Sequence, residues 1–480
     1  MNILIQIIFL AYQFFIFQVF SLGTYGVTSL DLAAIIFYLF FLFKKIIWDG
    51  EPLKFHWNNS LFFLLGFIFA VLLSGVNPLY YGSNPVITQF FKTSLHFLFI
   101  ISFTMICTFY RIDIKILNNI IRVWLMFSIL VNSYAVYQLF ARAFDFPLGW
   151  LPVTNITLGA RGFVQDEGLK QLALHWESFF RATSIFYEPS SLAGFNNFTL
   201  LLLIVPFIQH REPFIKKQWL NVIVLIGAII GLFVSFSLMG FLLIIVQIIL
   251  MFILEWNKRI LTFFYVLLSS IVFILILDIS INLTFNTSIL SLFEQRVSGI
   301  FLGKSKKKEG TEGESYFTRV KNIKMNLKIW EENPLTGTGL GLMSFHTKRE
   351  IMFSDVTVFA VMTETGVIGL ILFLGIFFYL FKYSLRFIFQ KISYEKLSED
   401  LKRFNGLLLY MMVYHFFVNF FWGNQLVANG LWLLISLVFA IINITGIELN
   451  QNVKTIHLMS NPFKSSFISA LNKFNEQAEK

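Results

Sequence analysis

The side chains best suited to chemistry are arginines and carboxylates in two long polar stretches, residues 142–191 and 280–354, and at the head of the apolar run that follows them. The first stretch closes on RATSIFYEPSS, where Arg181, Glu188 and Pro189 precede an apolar segment. A guanidinium stays charged and presents a planar fork of donors, which suits phosphate or pyrophosphate. The same residue can instead snorkel to lipid headgroups. Arg161, in GARGFVQDEG, has both readings, with Asp166 and Glu167 close behind it. Glu188 reads most simply as a loop carboxylate paired with a nearby arginine.

In the second stretch, YFTRVKNIKMNLKIW places Tyr316, Val320, Ile323, Leu327 and Trp330 at the spacing of one helical face. Lys321, Lys324 and Lys328 form a stripe roughly 80–140° away, suited to water or anionic headgroups, while Arg319 lies about 60° to the other side, toward whatever the apolar face packs on. NPLTGTGLGLMSFH follows. Its glycines Gly337, Gly339 and Gly341 have no preceding strand and are not a dinucleotide fingerprint; they let backbone pass close to a ligand or to the tops of helices. Asp355 then stands at the mouth of an apolar run and Glu364 nine residues on, about 13 Å deeper at ~1.5 Å per residue. An intramembrane carboxylate is a functional candidate, unless it pairs with a neighbouring polar group such as His415 or Asn419. His346 is a second candidate base near the mouth. The polar stretches hold no D-x-D pair, His/Cys cluster or H-E-x-x-H, so no metal ligand set is visible and arginines must neutralise any phosphate charge.

The elements that position these residues are set by lipid. Of the 480 residues, 57% are hydrophobic and 13% charged, which excludes an ordinary soluble multidomain chain. The net charge of +10 is first a matter of sidedness and does not imply nucleic acid. Cys107 is the single cysteine, a buried spacer in an apolar run, so there is no disulfide framework. The apolar start lacks a basic leader region and reads as a retained span. At roughly 20 apolar residues per crossing, spans fall near 3–21, 30–43, 59–76, 92–110, 119–141, 192–208, 219–235, 238–255, 261–279, 355–381, 404–421 and 425–445. SFSLMG between the seventh and eighth predicts a tight hairpin or a broken helix.

Lysines and arginines cluster in alternate connections, for example Lys44, Lys45 and Lys54, then Arg211, Lys216 and Lys217, whereas SLGTYGVTS, NPLYYGSNPVITQ and GNQ hold none. This puts both ends in the cytoplasm and the two long stretches outside. The expected organisation is five helices over 1–141, a first outer loop over 142–191, and four helices over 192–279. A second outer loop with an amphipathic helix follows over 280–354, then three helices over 355–445 and a cytoplasmic tail over 446–480. Only GKSKKKEGTEGES has the composition of a flexible linker.

This pattern resembles the bacterial O-antigen polymerase and O-antigen ligase superfamily. The resemblance spans most of the chain in architecture. In motifs it rests on R-x-x-S-x-F-x-E-P at Arg181 to Pro189, on Arg296 and Arg319 upstream of P-L-T-G-T-G-L-G, and on E-T-G-V-I-G-L from Glu364 to Leu370. It implies an all-α polytopic membrane protein with a GT-C-like glycosyltransferase architecture in the bacterial plasma membrane, its site facing outward. Ligase-like members carry a histidine where this chain has Asp355, which turns the expectation toward polymerase. The implied substrate is a polyprenyl-diphosphate-linked oligosaccharide, with membrane lipids and a chain-length regulator protein as partners and with no cofactor. Arg181 and Arg319 would act on the pyrophosphate together with Asp355 as general base; Arg296, Arg161, Glu188, His346 and Glu364 would line the substrate. The competing readings are a ligase moving finished glycan to lipid A core or protein and, from another class, a lipid-linked oligosaccharide flippase. The flippase would be expected to show repeat symmetry and short loops.

Overall fold

The computed structural model describes residues 2–23, 25–44, 53–156, 171, 175–176, 179–255, 257–285, 288, 290–291, 294, 314–346, 356–389, 396–421, 429–451 and 453–456. Lipid offers no partner to a peptide group, so apolar stretches bond their own backbones as helices. The chain runs α1 (Asn2–Ala11), α2 (Ser29–Phe40), α3 (Asn59–Leu73), α4 (Val76–Tyr81), α5 (Asn84–Phe109), α6 (Ile114–Ala143), α7 (Pro189–Ile208), α8 (Gln218–Val234), α9 (Leu238–Leu254) and α10 (Lys258–Phe285). The second polar stretch contributes α11 (Glu314–Trp330) and a short α12 (Met343–His346), followed by α13 (Thr357–Phe389), α14 (Glu399–Phe421) and α15 (Asn429–Glu448). Among the described residues, six helices are long and apolar enough to cross a membrane: Asn59–Tyr80, α5, α6, α7, α13 and Gly430–Glu448. Three more, Ile3–Phe14, α8 and α9, are apolar but shorter.

Two helices form the centre. α7 and α15 have 83% and 94% of their apolar windows buried, which marks them as surrounded by protein on nearly every side. α5 packs on α15, α3 on α13, and α7 on α8 and α14. Some polar groups inside this bundle find partners within it: Trp124 Nε1 donates to Thr199 Oγ1 at 3.0 Å, and Asn197 Nδ2 to the carbonyls of Ala193 and Gly240 at 2.9 and 3.1 Å. Cys107 is buried, as its apolar neighbours imply.

The first expected span needs correction. Its helix closes in a 3-10 turn at Tyr12–Phe14, and the residues after it form an antiparallel hairpin of β1 (Gln18–Leu22) and β2 (Tyr25–Thr28). The cause is local. Gly23 takes φ +59 at the turn, and Thr28 with Asp31 makes a capping box that starts α2 afresh. Two further pairs occur: β3 (Leu53–His56) with β6 (Val453–Ile456), and β4 (His175–Trp176) with β5 (Phe179–Phe180). The hairpin between α8 and α9 is tight, with Ser237 capping α9 by accepting from Gly240 N–H.

Candidate functional site

The structure groups the candidate residues into two clusters. In the first, Arg181 is only 8% exposed and its Nε donates to the Ser235 carbonyl at 3.0 Å, while Ala182 N–H donates to the Val234 carbonyl at 3.0 Å. The last carbonyls of α8 have no partner within their own helix and form its negative end, so a cation is favoured there. Arg181 therefore brings its charge to the turn joining two apolar helices.

Arg142, at the end of α6, holds this segment in place. Its Nε donates to Gly149 O at 2.7 Å, one terminal nitrogen to Arg181 O at 2.5 Å, and the other to Gln171 Oε1 and Thr183 Oγ1 at 2.8 and 2.7 Å. Its guanidinium also stacks 4.0 Å from the Trp150 ring centre. Gln138 Oε1 accepts from the N–H groups of Thr183 and Ser184, and Gln171 Nε2 donates to the carbonyls of Ser184 and Phe186. Glu188 occupies the N-cap position of α7, ahead of Pro189 at the first helical position. Its carboxylate accepts from the Ser190 hydroxyl, and among the described residues no arginine pairs with it.

The second cluster is built on a break in α13. Gly366 there has φ 69 and ψ −172, a conformation that only glycine adopts without strain. The freed backbone groups are met by the P-L-T-G-T-G-L-G loop. Thr338 and Gly339 N–H donate to the carbonyls of Thr363 and Glu364 at 3.0 Å each, and Val367 and Ile368 N–H donate to those of Pro334 and Leu335 at 2.9 and 3.4 Å. Asn77 of α4 clamps the loop from outside by donating to Gly337 O at 2.6 Å. The glycines thus serve close approach to helix tops: a Cβ on Gly337 would overlap the Glu364 backbone, and one on Gly341 would crowd Thr93 of α5. Glu364 is 3% exposed, with the backbone of Gly341 close to its carboxylate. Among the described residues no bond joins it to His415 or Asn419, the alternative partners; the Asn419 amide donates to the His415 carbonyl.

The helix bearing Arg319 packs on this break, but not by the expected face. Asn322, Asn326 and Ile329 are buried while Leu327 is 37% exposed, so α11 is turned roughly 110° about its axis from the apolar stripe. The contact is polar: Thr363 Oγ1, which is 2.9 Å from the Phe359 carbonyl of its own helix, lies 3.2 and 3.3 Å from the Asn326 carbonyl and Oδ1. Arg319 is half-buried at the edge of the packed face, and Lys321, Lys324 and Lys328 are exposed.

Beside this cluster, Tyr25 Oη donates to Asp31 Oδ1 at 3.2 Å and lies 3.2 Å from His96 Nδ1. His96 is one turn beyond Thr93 on the same face of α5. Sequence reading missed this Asp–Tyr–His chain and the Gln138–Arg142 anchor. The signals were a T-x-x-D cap at Thr28 and two polar residues four apart in an apolar helix. His346 lies at the exit of the glycine loop, its Nδ1 4.0 Å from Glu332. Burial lowers its pKa below the ordinary histidine value, and Glu332 opposes this only weakly because its carboxylate is exposed and screened. Arg161, Arg296 and Asp355 lie outside the described residues.

Residues 223–374, which contain α9 to α12, the glycine loop and the broken start of α13, match the family model described as O-antigen ligase. No curated protein matches the chain.

Proposed function

We propose, from the match of residues 223–374 to the O-antigen ligase family model, that the chain is a glycosyltransferase-like enzyme of the O-antigen polymerase and ligase superfamily and that it polymerises polyprenyl-diphosphate-linked oligosaccharide repeat units at the outer face of the bacterial plasma membrane. The observation that carries this reading is the locked unit of α11, glycine loop and broken α13. It lies inside the matched segment and holds the Arg319 helix against the start of the span that follows Asp355. The twelve-helix, GT-C-like arrangement with both long stretches outside belongs to the same proposal.

In this mechanism the diphosphate of the donor lies between Arg181 and Arg319, with Arg296 in reach. Asp355 accepts the proton of an acceptor sugar hydroxyl, whose oxygen attacks the anomeric carbon of the donor. The bond to the diphosphate breaks, and the arginines stabilise the negative charge that collects on the leaving group. The sugar–phosphate bond is already activated, so proton transfer and charge stabilisation suffice. Arg161, Glu188, His346 and Glu364 line the substrate path, and a chain-length regulator would act beside it.

The second reading, transfer of finished glycan to lipid A core or protein, is favoured by the description of the matching family itself. The presence of Asp355 where ligase-like members carry histidine supports the polymerase. The match lends no support to a flippase. A strain lacking the chain separates the two enzymes: surface glycans capped with a single repeat indicate a polymerase, and accumulated lipid-linked polymer indicates a ligase. An unchanged glycan profile would overturn both.

A further inference from the structure

A cavity of about 80 Å³ lies at the N-terminal end of α7, lined by Gln13, Ser190, Ser191 and Tyr414 together with the rings of Trp124 and Phe195. At 10–15 Å³ of such space per water molecule it has room for roughly five to eight waters, the space of a single sugar ring. Gln13 is 2% exposed and neither atom of its amide has a hydrogen-bond partner. A buried amide left unbonded costs about 1–3 kcal/mol, so such a group in a cavity wall points to a polar occupant.

The lining narrows the class of occupant. A lipid tail would leave the Gln13 donors and acceptor unmet. An anion would find no lysine or arginine among the lining residues, and the Glu188 carboxylate stands one bond away through Ser190. Of the parts of a lipid-linked glycan, a neutral, hydroxyl-rich ring fits this lining. Its paired hydroxyls match an amide that both donates and accepts, and its C–H face matches aromatic walls.

We infer that this cavity seats one sugar ring of the lipid-linked glycan, with Gln13 as the residue that reads its hydroxyls. The inference rests on the proposed glycosyl transfer.

The test uses the full chain in nanodiscs and two probes: lipid-linked repeat units extracted from a strain lacking the chain, and polyprenyl diphosphate of the same length without sugar. Wild type should bind the sugar-bearing probe more tightly than the bare one. Gln13→Leu should lose about tenfold to a hundredfold in affinity for the sugar-bearing probe and keep its affinity for bare diphosphate, which also reports an intact fold; Ser191→Ala should show a smaller loss in the same direction. Competition by the free oligosaccharide released from the repeat units would place the ring in the acceptor, and no competition would place it next to the diphosphate. Equal binding of the sugar-bearing probe by wild type and Gln13→Leu would overturn the inference. Failure of wild type to bind either probe would instead overturn the proposed function, and this inference with it.

Discussion

Gly366→Ala tests whether the break in α13 is part of the site's architecture. At φ 69 and ψ −172 an alanine is strained, at a cost of about 1–3 kcal/mol, and its Cβ would overlap the Leu335 carbonyl oxygen. Relief by local movement would displace the bonds from Val367 N–H to Pro334 O and from Ile368 N–H to Leu335 O, each contributing about 0.5–1.5 kcal/mol. The expected loss is therefore about 2–6 kcal/mol when both bonds go. The control is Gly227→Ala in α8, whose Cβ would sit 3.6 Å from Asn132 Cβ in ordinary contact and should be neutral or stabilising by about 0.5–1 kcal/mol. Thermal unfolding in detergent and chain extension in membranes supplied with lipid-linked repeat units read the two effects. If Gly366→Ala matched wild type in both, the glycine loop would not depend on this break and the reasoning would fail.

Arg142→Ala removes four buried hydrogen bonds and the stack on Trp150 and leaves the Gly149 and Arg181 carbonyls unmet at about 1–3 kcal/mol each, a loss of about 2–6 kcal/mol in unfolding measurements, and Arg142→Lys should rescue little because an ammonium lacks the planar fork. Arg181→Ala, Arg319→Ala and Asp355→Ala should each abolish chain extension at unchanged protein level, and Arg181→Lys should be poorly tolerated; full-length polymer from all three alanine variants would sink the proposed site. For His346 the folded pKa is lowered, so the unfolded chain binds the proton more readily and stability falls with pH from about 6.5 down through the folded value. His346→Gln should flatten that acid limb in melting curves at pH 5 and 8, and identical pH dependence in both proteins would remove His346 from the account.

Hydropathy alone placed the helices, because in lipid a backbone must bond itself and an apolar run of sufficient length has few other solutions. Eleven of the twelve predicted stretches are helical over most of their described residues, six helices being long and apolar enough to cross a membrane, while the first breaks into a short helix and a hairpin; the tight turn between α8 and α9 was legible as SFSLMG. Residue chemistry also marked Arg181, Glu364 and the glycine loop. Tertiary structure decided what they touch. The face of α11 could not be read from its apolar stripe, since a helix beside a membrane need not bury that stripe against protein, and here Asn326 meets Thr363 instead. Glu364 meets the backbone of the glycine loop, and backbone neighbours leave no trace in side-chain patterns. Gln138, Arg142 and Gln171 are separated by four to 33 residues and acquire meaning only when the loop folds back on α6. Spacing reveals neighbours along a helix, whereas the clusters here join groups that only packing brings within hydrogen-bond reach.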